Sequence, residues 1–283
     1  MENIYLCIDL GGTKTAVSLY NEAYREIYHF KIETKPELGI DSLIERLKEL
    51  LSTALIDKTI IKGSIASPGP LDIPNGKIVF IPTMGWKDIS IVELFNKAFN
   101  TSFALLNDCT SGALGAWTMV NKPKNMLYIS LSTGVGGGLI LNSKLYEGNG
   151  NAAEIGHIKV SNDNKKCNCG KYGCLEIYSS GSGIQRLYYE STKLMLHPKD
   201  IAIKARSNDI LSKTLFDDAG NKVNLVLKNI NTLLDLDEIV IGGGLLNHRD
   251  LLEKNIVNGI NTKITFLKPD DNQVLIGALE YIK

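Results

Sequence analysis

The 283-residue chain lacks an excess of charge of either sign, because 31 Lys and Arg residues balance 31 Asp and Glu residues. Without a basic excess there is no electrostatic attraction to nucleic acid or to an anionic membrane, so neither partner is predicted. The chain also lacks an apolar run near the roughly 20 residues that cross a bilayer. Its first apolar run, 4–10, is short and interrupted by Asp9, so no signal peptide is expected.

Cysteine is scarce as well: there are five in the chain, and three of them fall within residues 167–174. Clustered thiols of this kind indicate metal binding in a reducing compartment rather than a disulfide framework, so a cytoplasmic location is predicted. Cys7 and Cys109 lie apart from the cluster and are expected to be ordinary buried or half-buried thiols.

The clustered cysteines belong to the turn-rich segment E-I-G-H-I-K-V-S-N-D-N-K-K-C-N-C-G-K-Y-G-C-L-E, residues 154–176. Three thiolates and one imidazole form a complete tetrahedral zinc set, and a closed set of four protein ligands is the structural kind of zinc site. The predicted ligands are His157, Cys167, Cys169 and Cys174. Their spacing differs from that of a DNA-reading zinc finger, and Gly170 and Gly173 would let the backbone fold around an ion.

Apolar patterning predicts an α/β chain in which one arrangement occurs twice. Each half opens with a strand (4–10, then 126–132), a glycine-rich turn carrying a threonine, and a returning strand (15–20, then 139–142). Further strands are predicted at 27–33, 63–66, 102–106 and 238–241, and helices at 41–55, 91–99, 110–120, 183–189, 198–205, 210–234 and 274–282. This pattern predicts a duplicated α/β unit with a cleft between the copies and a boundary near 112–120.

The two glycine-rich turns do not match the common nucleotide fingerprints. D-L-G-G-T-K at 9–14 is not a Walker A loop, and T-G-V-G-G-G at 133–138 does not have Rossmann spacing. Each turn instead offers backbone N–H groups and a hydroxyl, which together can form an anion nest for phosphate oxygens. One such turn is more often a plain hairpin, but two of them favour nucleotide binding. Asp9, beside the first turn, is a candidate for holding hydrated Mg²⁺, although alone it would be interpreted as a turn cap.

Asn107 and Asp108 follow a predicted strand. The Asp108 carboxylate is a candidate general base for a hydroxyl nucleophile, and Asn107 could offer both a donor and an acceptor to a polyol. Taken alone, Asn-Asp before a helix is more often a helix cap.

The chain resembles the ROK family (repressor, ORF, kinase) in seven motifs that occur in order: D-L-G-G-T-K, A-S-P-G-P, L-N-D, L-S-T-G-V-G-G-G, E-I-G-H, C-N-C-G-K-Y-G-C-L-E and I-G-G-G. The resemblance covers nearly the whole chain. It implies the two-lobed actin-like ATPase (ribonuclease H-like) fold, with a smaller α/β lobe at 1–112 plus 268–283 and a larger one at 113–267. It further implies an ATP-dependent sugar kinase that uses Mg²⁺ and structural Zn²⁺, or a sugar-responsive repressor. Family members commonly form dimers, so a homodimer is expected.

The resemblance assigns roles residue by residue. Asp108 matches the base that deprotonates the sugar hydroxyl. The ATP-binding positions would be Asp9, Gly11, Gly12, Thr13, Lys14, Ser132, Thr133, Gly134, Gly243 and Gly244, with Asp9 also on Mg²⁺. The sugar-binding positions would be Gly69, Thr83, Asn107, Asp108, Glu154, His157 and Glu176. His157 would place one ring nitrogen on zinc and turn the other toward a sugar hydroxyl.

Two departures from the family pattern leave the sugar open. Glucokinase-like members carry Asn-Leu-x-Gly-Trp where this chain reads T-M-G-W at 83–86, so Thr83 replaces an amide. Relatives also carry glycine where this chain has Ala153. The expected reaction is phosphorylation of the 6-hydroxyl of a hexose, with glucose first and N-acetylmannosamine, another N-acetylhexosamine or a β-glucoside as alternatives. A repressor would carry a helix-turn-helix domain before the first glycine turn, and this chain has no room for one there.

Overall fold

The computed structural model describes residues 1–148, 152–269 and 272–283. The chain forms two compact units, Met1–Met119 with Asn272–Lys283, and Val120–Asp271. Within the described ranges, no helix combines the length and the apolar composition needed to cross a bilayer.

The elements of the first part of the chain are β1 (Glu2–Leu10), β2 (Lys14–Asn21), β3 (Glu26–Glu33), α1 (Gly39–Leu51), β4 (Lys58–Ser67), β5 (Leu71–Asp72), β6 (Lys77–Ile81), β7 (Trp86–Ile89), α2 (Ile91–Phe99), β8 (Phe103–Asn107) and α3 (Asp108–Met119). Those of the second part are β9 (Met126–Leu131), β10 (Val135–Leu141), β11 (Lys144–Tyr146), α4 (Leu175–Ser179), α5 (Gly181–Thr192), α6 (Pro198–Arg206), α7 (Ile210–Leu234), β12 (Glu238–Gly242), α8 (Arg249–Ile256), β13 (Lys263–Phe266) and α9 (Gln273–Ile282).

The two units contain five-stranded sheets of the same topology. The strand order is β3-β2-β1-β4-β8 in the first unit and β11-β10-β9-β12-β13 in the second. Strands β1, β2 and β3 are antiparallel neighbours, as are β9, β10 and β11. Strands β4 and β8 run parallel to β1, and β12 and β13 run parallel to β9. The predicted duplication is therefore present as a repeated strand order.

The β1 strand reads as a continuous apolar run because both faces of its sheet are covered. On one face, Leu6 and Ile8 pack with Leu47 of α1, and on the other face Cys7 packs with Leu279 of α9. In the second unit, apolar residues of β9 and β12 share a core with α5, α6, α7 and α8. The central strands are thus buried in both units.

Glycines bring α3 and α9 into direct backbone contact within the first unit. A Cβ atom on Gly115 would lie 1.7 Å from the Gln273 carbonyl oxygen, and one on Gly277 would lie 1.7 Å from the Ser111 carbonyl oxygen. Because α3 packs against α9 along this contact, all of α3 belongs to the first unit. The unit boundaries follow Met119 and Asp271, and the first lies inside the range 112–120 predicted from the pattern. The lobe bounds that the resemblance implies, after residues 112 and 267, lie a few residues earlier.

Several predicted elements differ in extent or were not predicted. The helix predicted at 41–55 is α1, which begins at Gly39 and ends at Leu51. The second returning strand begins at Val135 rather than 139, so three of the glycines in T-G-V-G-G-G lie in strand β10 and only 132–134 form the turn. The three-stranded sheet β5-β6-β7 was not predicted, since strands of two to five residues show too little alternation to be recognised.

Candidate functional site

In the first unit, the carboxyl ends of three parallel strands bring the predicted acidic residues to one edge of the sheet. Asp9 of β1 pairs with Ala66 of β4, and Ser67 of β4 pairs with Asn107 of β8. The S-P-G-P turn and Asp108 follow directly after β4 and β8. Ligands of open α/β sheets bind at this edge, where parallel strands end.

The first glycine turn, 11–13, connects β1 to β2 at the same edge. The Gly11 N–H donates to the Lys14 carbonyl at 3.1 Å, and a Cβ atom on Gly11 would lie only 2.7 Å from that oxygen. Thr34, fully buried at the end of β3, donates its hydroxyl to the Gly11 carbonyl at 2.6 Å and its N–H to the Thr13 carbonyl at 2.9 Å. Hydrogen bonds from the buried Thr34 thus fix the carbonyls of the turn, while Thr13 and Lys14 remain exposed to solvent.

Asp9 and Asp108 are electrostatically coupled. Burial, together with the nearby Asp108 carboxylate, raises the pKa of Asp9 to about 7, and Lys31 opposes both effects. Lys31 is placed for this by the strand register, since Asp9 lies opposite Ala16 and Ala16 lies opposite Lys31. Burial also raises the pKa of Asp108, although the Cys109 N–H donates to its Oδ1 at 2.8 Å. A carboxylate with a raised pKa is a stronger base than an ordinary one, as a general base requires.

Asn107 caps helix α3. Its Oδ1 accepts from the Cys109 N–H at 2.9 Å and from the Thr110 N–H at 3.3 Å. A Cβ atom on Gly69 would lie 3.8 Å from Asn107 Nδ2, so the amide nitrogen points toward the S-P-G-P turn. Because the oxygen is used by the helix, Asn107 can offer a ligand a donor, whereas the sequence had suggested both a donor and an acceptor.

Thr83 lies beside the first glycine turn. A Cβ atom on Gly12 would lie 3.3 Å from Thr83 Oγ1, so this hydroxyl adjoins a predicted phosphate-binding position. Its assignment to the sugar therefore stays a prediction.

In the second unit, the turn 132–134 connects β9 to β10 and is held by the start of α5. The Gly181 N–H donates to the Ser132 carbonyl at 2.8 Å, and the Ser182 hydroxyl donates to the Thr133 carbonyl at 2.7 Å. Ser182 was not among the predicted residues, because nothing in a Gly-Ser-Gly sequence indicates which distant turn it will hold.

Gly243 and Gly244 lie against the same turn. The parallel register pairs Gly242 of β12 with Ser130 of β9, so the carboxyl ends of these two strands adjoin. Gly243 has φ +99°, and a Cβ atom there would lie 2.3 Å from the Leu131 carbonyl oxygen. The second unit therefore repeats the arrangement of the first: a glycine turn after the first strand, beside the end of the fourth strand.

The four predicted metal ligands meet in the second unit. The candidate ligand atoms of His157, Cys167, Cys169 and Cys174 all lie within 4.8 Å of one another. His157 Nδ1 is 3.7 Å from Cys167 Sγ, and Cys169 Sγ is 3.7 Å from Cys174 Sγ. A tetrahedron with Zn–S bonds of about 2.3 Å has S···S edges of about 3.8 Å, so these atoms have the spacing of a zinc site.

The chemistry of the thiols also fits a cation. Burial raises the pKa of Cys167 and raises that of Cys174 to about 12, whereas at Cys169 burial is outweighed by hydrogen bonds, the first from the Lys171 backbone, which lower the pKa. Because metal ligation needs all three thiols deprotonated, a bound cation would stabilise the two thiolates that burial disfavours. The predicted role of the glycines is also met: Gly170 and Gly173 have φ of +89° and +72°, and a Cβ on Gly173 would lie 2.0 Å from the Ser161 carbonyl oxygen.

Glu154 and Glu176 take different places around the cluster. His157 Nε2 faces Glu154, with 4.0 Å to its Oε2, and the Glu154 side chain is 55% exposed. Glu176 instead accepts a hydrogen bond from the Val135 N–H at 3.1 Å. The sequence had assigned both carboxylates to the sugar, and the structure brings one of them to the 132–134 turn.

The chain has relatives that match over most of its length. It is 30% identical to a glucokinase of Halalkalibacterium halodurans, over 89% of this chain and 83% of the relative. It is 29% identical to an N-acetylmannosamine kinase of Vibrio cholerae, over 85% and 83%. A xylose repressor of Bacillus spizizenii is 27% identical over 84% of this chain, which spans 62% of that protein.

Among solved structures, a ROK hexokinase from Thermus thermophilus superposes with a TM-score of 0.85 at 24% identity, covering 99% of both chains. This likeness confirms the predicted actin-like ATPase fold. The ROK family model matches residues 5–277. The chain therefore belongs to the ROK family.

Proposed function

We propose that this protein is an ATP-dependent sugar kinase that transfers the γ-phosphoryl group to the 6-hydroxyl of a hexose, with glucose as the first candidate. The observation that carries the proposal is that Asp9 and Asp108 lie at the same end of the sheet, beside the first glycine turn, with the Asp108 carboxylate acting on the pKa of Asp9. Phosphoryl transfer depends on positioning and on charge neutralisation more than on covalent chemistry, and this edge offers both a base and a phosphate turn.

In this proposal Asp108 is the catalytic base. Its carboxylate would accept the proton of the sugar hydroxyl as the bond to phosphorus forms, and burial gives it the raised pKa that suits this task. Asn107 Nδ2 and Gly69 would contact the sugar beside it. The turn 11–13 with Lys14 would bind phosphate oxygens through N–H groups and the ammonium.

Asp9 would hold Mg²⁺ through water. A divalent cation neutralises triphosphate charge when bound, and oxygen ligands are those that Mg²⁺ prefers. The donor fits, because a cation beside Asp9 would keep ionised a carboxylate whose pKa is otherwise about 7.

Further roles are proposed for residues of the second unit. The turn 132–134 would bind phosphate, Gly243 and Gly244 would contact the adenosine, and Glu154, His157 and Glu176 would bind sugar hydroxyls. Zinc on His157 and the three cysteines would be structural and would orient the imidazole, leaving Nε2 for a ligand. The cytoplasmic location and the homodimer remain predictions, and light scattering after size-exclusion chromatography tests the latter.

A second candidate substrate is N-acetylmannosamine. The similarity to an N-acetylmannosamine kinase is nearly as high as that to a glucokinase, and Thr83 stands where glucokinase-like members carry an amide. Phosphorylation of glucose, N-acetylmannosamine, N-acetylglucosamine and a β-glucoside, each measured with ATP and Mg²⁺, decides between them. Sugar binding without any turnover would favour a catalytically inactive sugar-binding module.

The test of the base is Asp108→Asn, which keeps the shape of the side chain. Turnover should fall by a factor of about 10² to 10⁴, while sugar affinity stays within about threefold of the wild-type value, since a lost base acts on the transition state. Asn107→Ala is the comparison, and it should weaken sugar binding and destabilise helix α3. If Asp108→Asn retains more than about a hundredth of wild-type turnover, Asp108 is not the base.

A further inference from the structure

The metal-binding segment reaches the 132–134 turn through Val135, the first residue of β10. The Val135 N–H donates to Glu176 Oε2 at 3.1 Å. Its carbonyl is covered by Gly156, where a Cβ atom would lie 2.1 Å from the oxygen. Residues of the segment therefore contact both main-chain polar groups that follow the turn.

The Glu176 carboxylate also presses against the turn itself. A Cβ atom on Gly134 would lie 2.7 Å from Glu176 Oε2, a distance at which something must shift. Glycine at 134 thus makes room for the carboxylate. A carboxylate that accepts a backbone N–H forms a charge-assisted hydrogen bond, which is stronger than one between neutral groups.

Each contact to Val135 lies close to a predicted zinc ligand. Gly156 directly precedes His157, and Glu176 is the second residue of α4, whose N-cap is Cys174. The beginning and the end of the segment are joined by two contacts. The Leu175 N–H donates to the Ile158 carbonyl at 2.9 Å, and Lys159 and Cys174 form a β-bridge. The two contacts to Val135 are therefore separated from the predicted zinc ligands by only one or two residues.

We propose that Glu176 is a positioning residue that holds the 132–134 turn in its nucleotide-binding shape and couples that turn to the zinc segment. The inference rests on the proposed kinase function. Since Oε2 accepts from the residue after the turn, Oε1 is left for a sugar hydroxyl, and one side chain would contact both the sugar and the turn that binds the nucleotide. By linkage, sugar should then change nucleotide affinity by the same factor as nucleotide changes sugar affinity.

The test compares Glu176→Ala, Glu176→Gln and Glu154→Ala. Two quantities are measured without sugar: the dissociation constant of a non-hydrolysable ATP analogue with Mg²⁺, and hydrogen exchange of the peptide that contains Val135. Glu176→Ala should raise the dissociation constant of the analogue about tenfold, the usual effect of losing a hydrogen bond to a charged group. Its Val135 amide should also exchange faster. In Glu176→Gln the dissociation constant should stay within about threefold of the wild-type value, because the amide oxygen can still accept the hydrogen bond from Val135.

Glu154→Ala is the matched control, since Glu154 is the other carboxylate assigned to the sugar and it faces His157. Without sugar, Glu154→Ala should change neither the dissociation constant of the analogue nor the hydrogen exchange of Val135. An analogue affinity in Glu176→Ala equal to that of the wild type, or an equal loss in Glu154→Ala, overturns the proposal. If the wild-type protein binds no nucleotide, both the proposed role of Glu176 and the proposed kinase function are wrong. Wild-type protein that binds the analogue but phosphorylates no sugar contradicts the kinase function alone.

If Glu176→Ala does not fold, as judged by circular dichroism and zinc content, Gly134→Ala replaces it. Its new methyl group displaces the carboxylate, so exchange at Val135 should rise while Glu176 is still present. Unchanged exchange at Val135 in that variant overturns the proposed contact.

Discussion

Replacing Asp9 by Asn should stabilise the folded protein at pH 8. Burial, with added repulsion from Asp108, raises the Asp9 pKa from 3.8 to about 7. The folded state therefore binds this proton more tightly than the unfolded chain, and stability falls as the pH rises from about 4 to about 7. Asparagine has nearly the same shape and does not ionise, so it removes the free-energy cost of a buried, ionised carboxylate.

The size of the effect follows from the shift. A difference of about three pKa units at about 1.4 kcal/mol per unit gives on the order of 4 kcal/mol as the upper limit at pH 8. The gain should shrink steadily as the pH is lowered and should vanish near pH 4. The same variant should lose affinity for Mg²⁺ and nucleotide, because a carboxylate kept at such a cost is expected to serve function.

The assay is urea unfolding of Asp9→Asn and wild-type protein in Mg²⁺-free buffer at pH 5, 6, 7 and 8. Asp209→Asn is the control, and its effect on stability should have the opposite sign. Asp209 caps α7, and hydrogen bonds from the Ser212 hydroxyl and N–H lower its pKa. Its variant should lose stability by the same amount at all four pH values, because the lowered pKa keeps the wild-type carboxylate ionised throughout this range. An Asp9→Asn protein no more stable than wild type at pH 8, or a difference that grows in acid, would refute the reasoning.

Three further predictions concern zinc, backbone strain and helix packing. Cys169→Ser should lower the bound zinc, measured by plasma mass spectrometry, and lower the melting temperature, whereas unchanged zinc content would contradict the four-ligand site. Ala153 has φ +61°, where relatives carry glycine, so Ala153→Gly should raise stability by about 1 kcal/mol in thermal unfolding; a loss would count against strain there. Gly115→Ala should cost about 2–3 kcal/mol, because its methyl group would overlap the Gln273 carbonyl in α9. The exposed Met119→Ala on the same helix should change stability far less.

Sequence patterns predicted the long elements well and the short ones poorly. Helices α2 and α7 have the predicted bounds, because apolar residues recur at helical spacing over enough turns to be unambiguous. The β5-β6-β7 sheet and α8 were not predicted. Their few residues are held by packing against the rest of the unit rather than by a recognisable period.

The amino-acid sequence by itself determined which side chains form the Cys/His cluster, because three thiols and an imidazole in one short segment can meet through local backbone turns. It likewise determined the repeated strand and glycine-turn order, which local periodicity and turn chemistry specify. Only the tertiary structure decided that Asn107 turns its oxygen to α3, that Thr83 lies beside Gly12, and that Glu176 accepts from Val135. These are contacts between residues or groups whose relation depends on how strands and helices pack, and no local pattern records which distant partner will satisfy a given hydrogen bond.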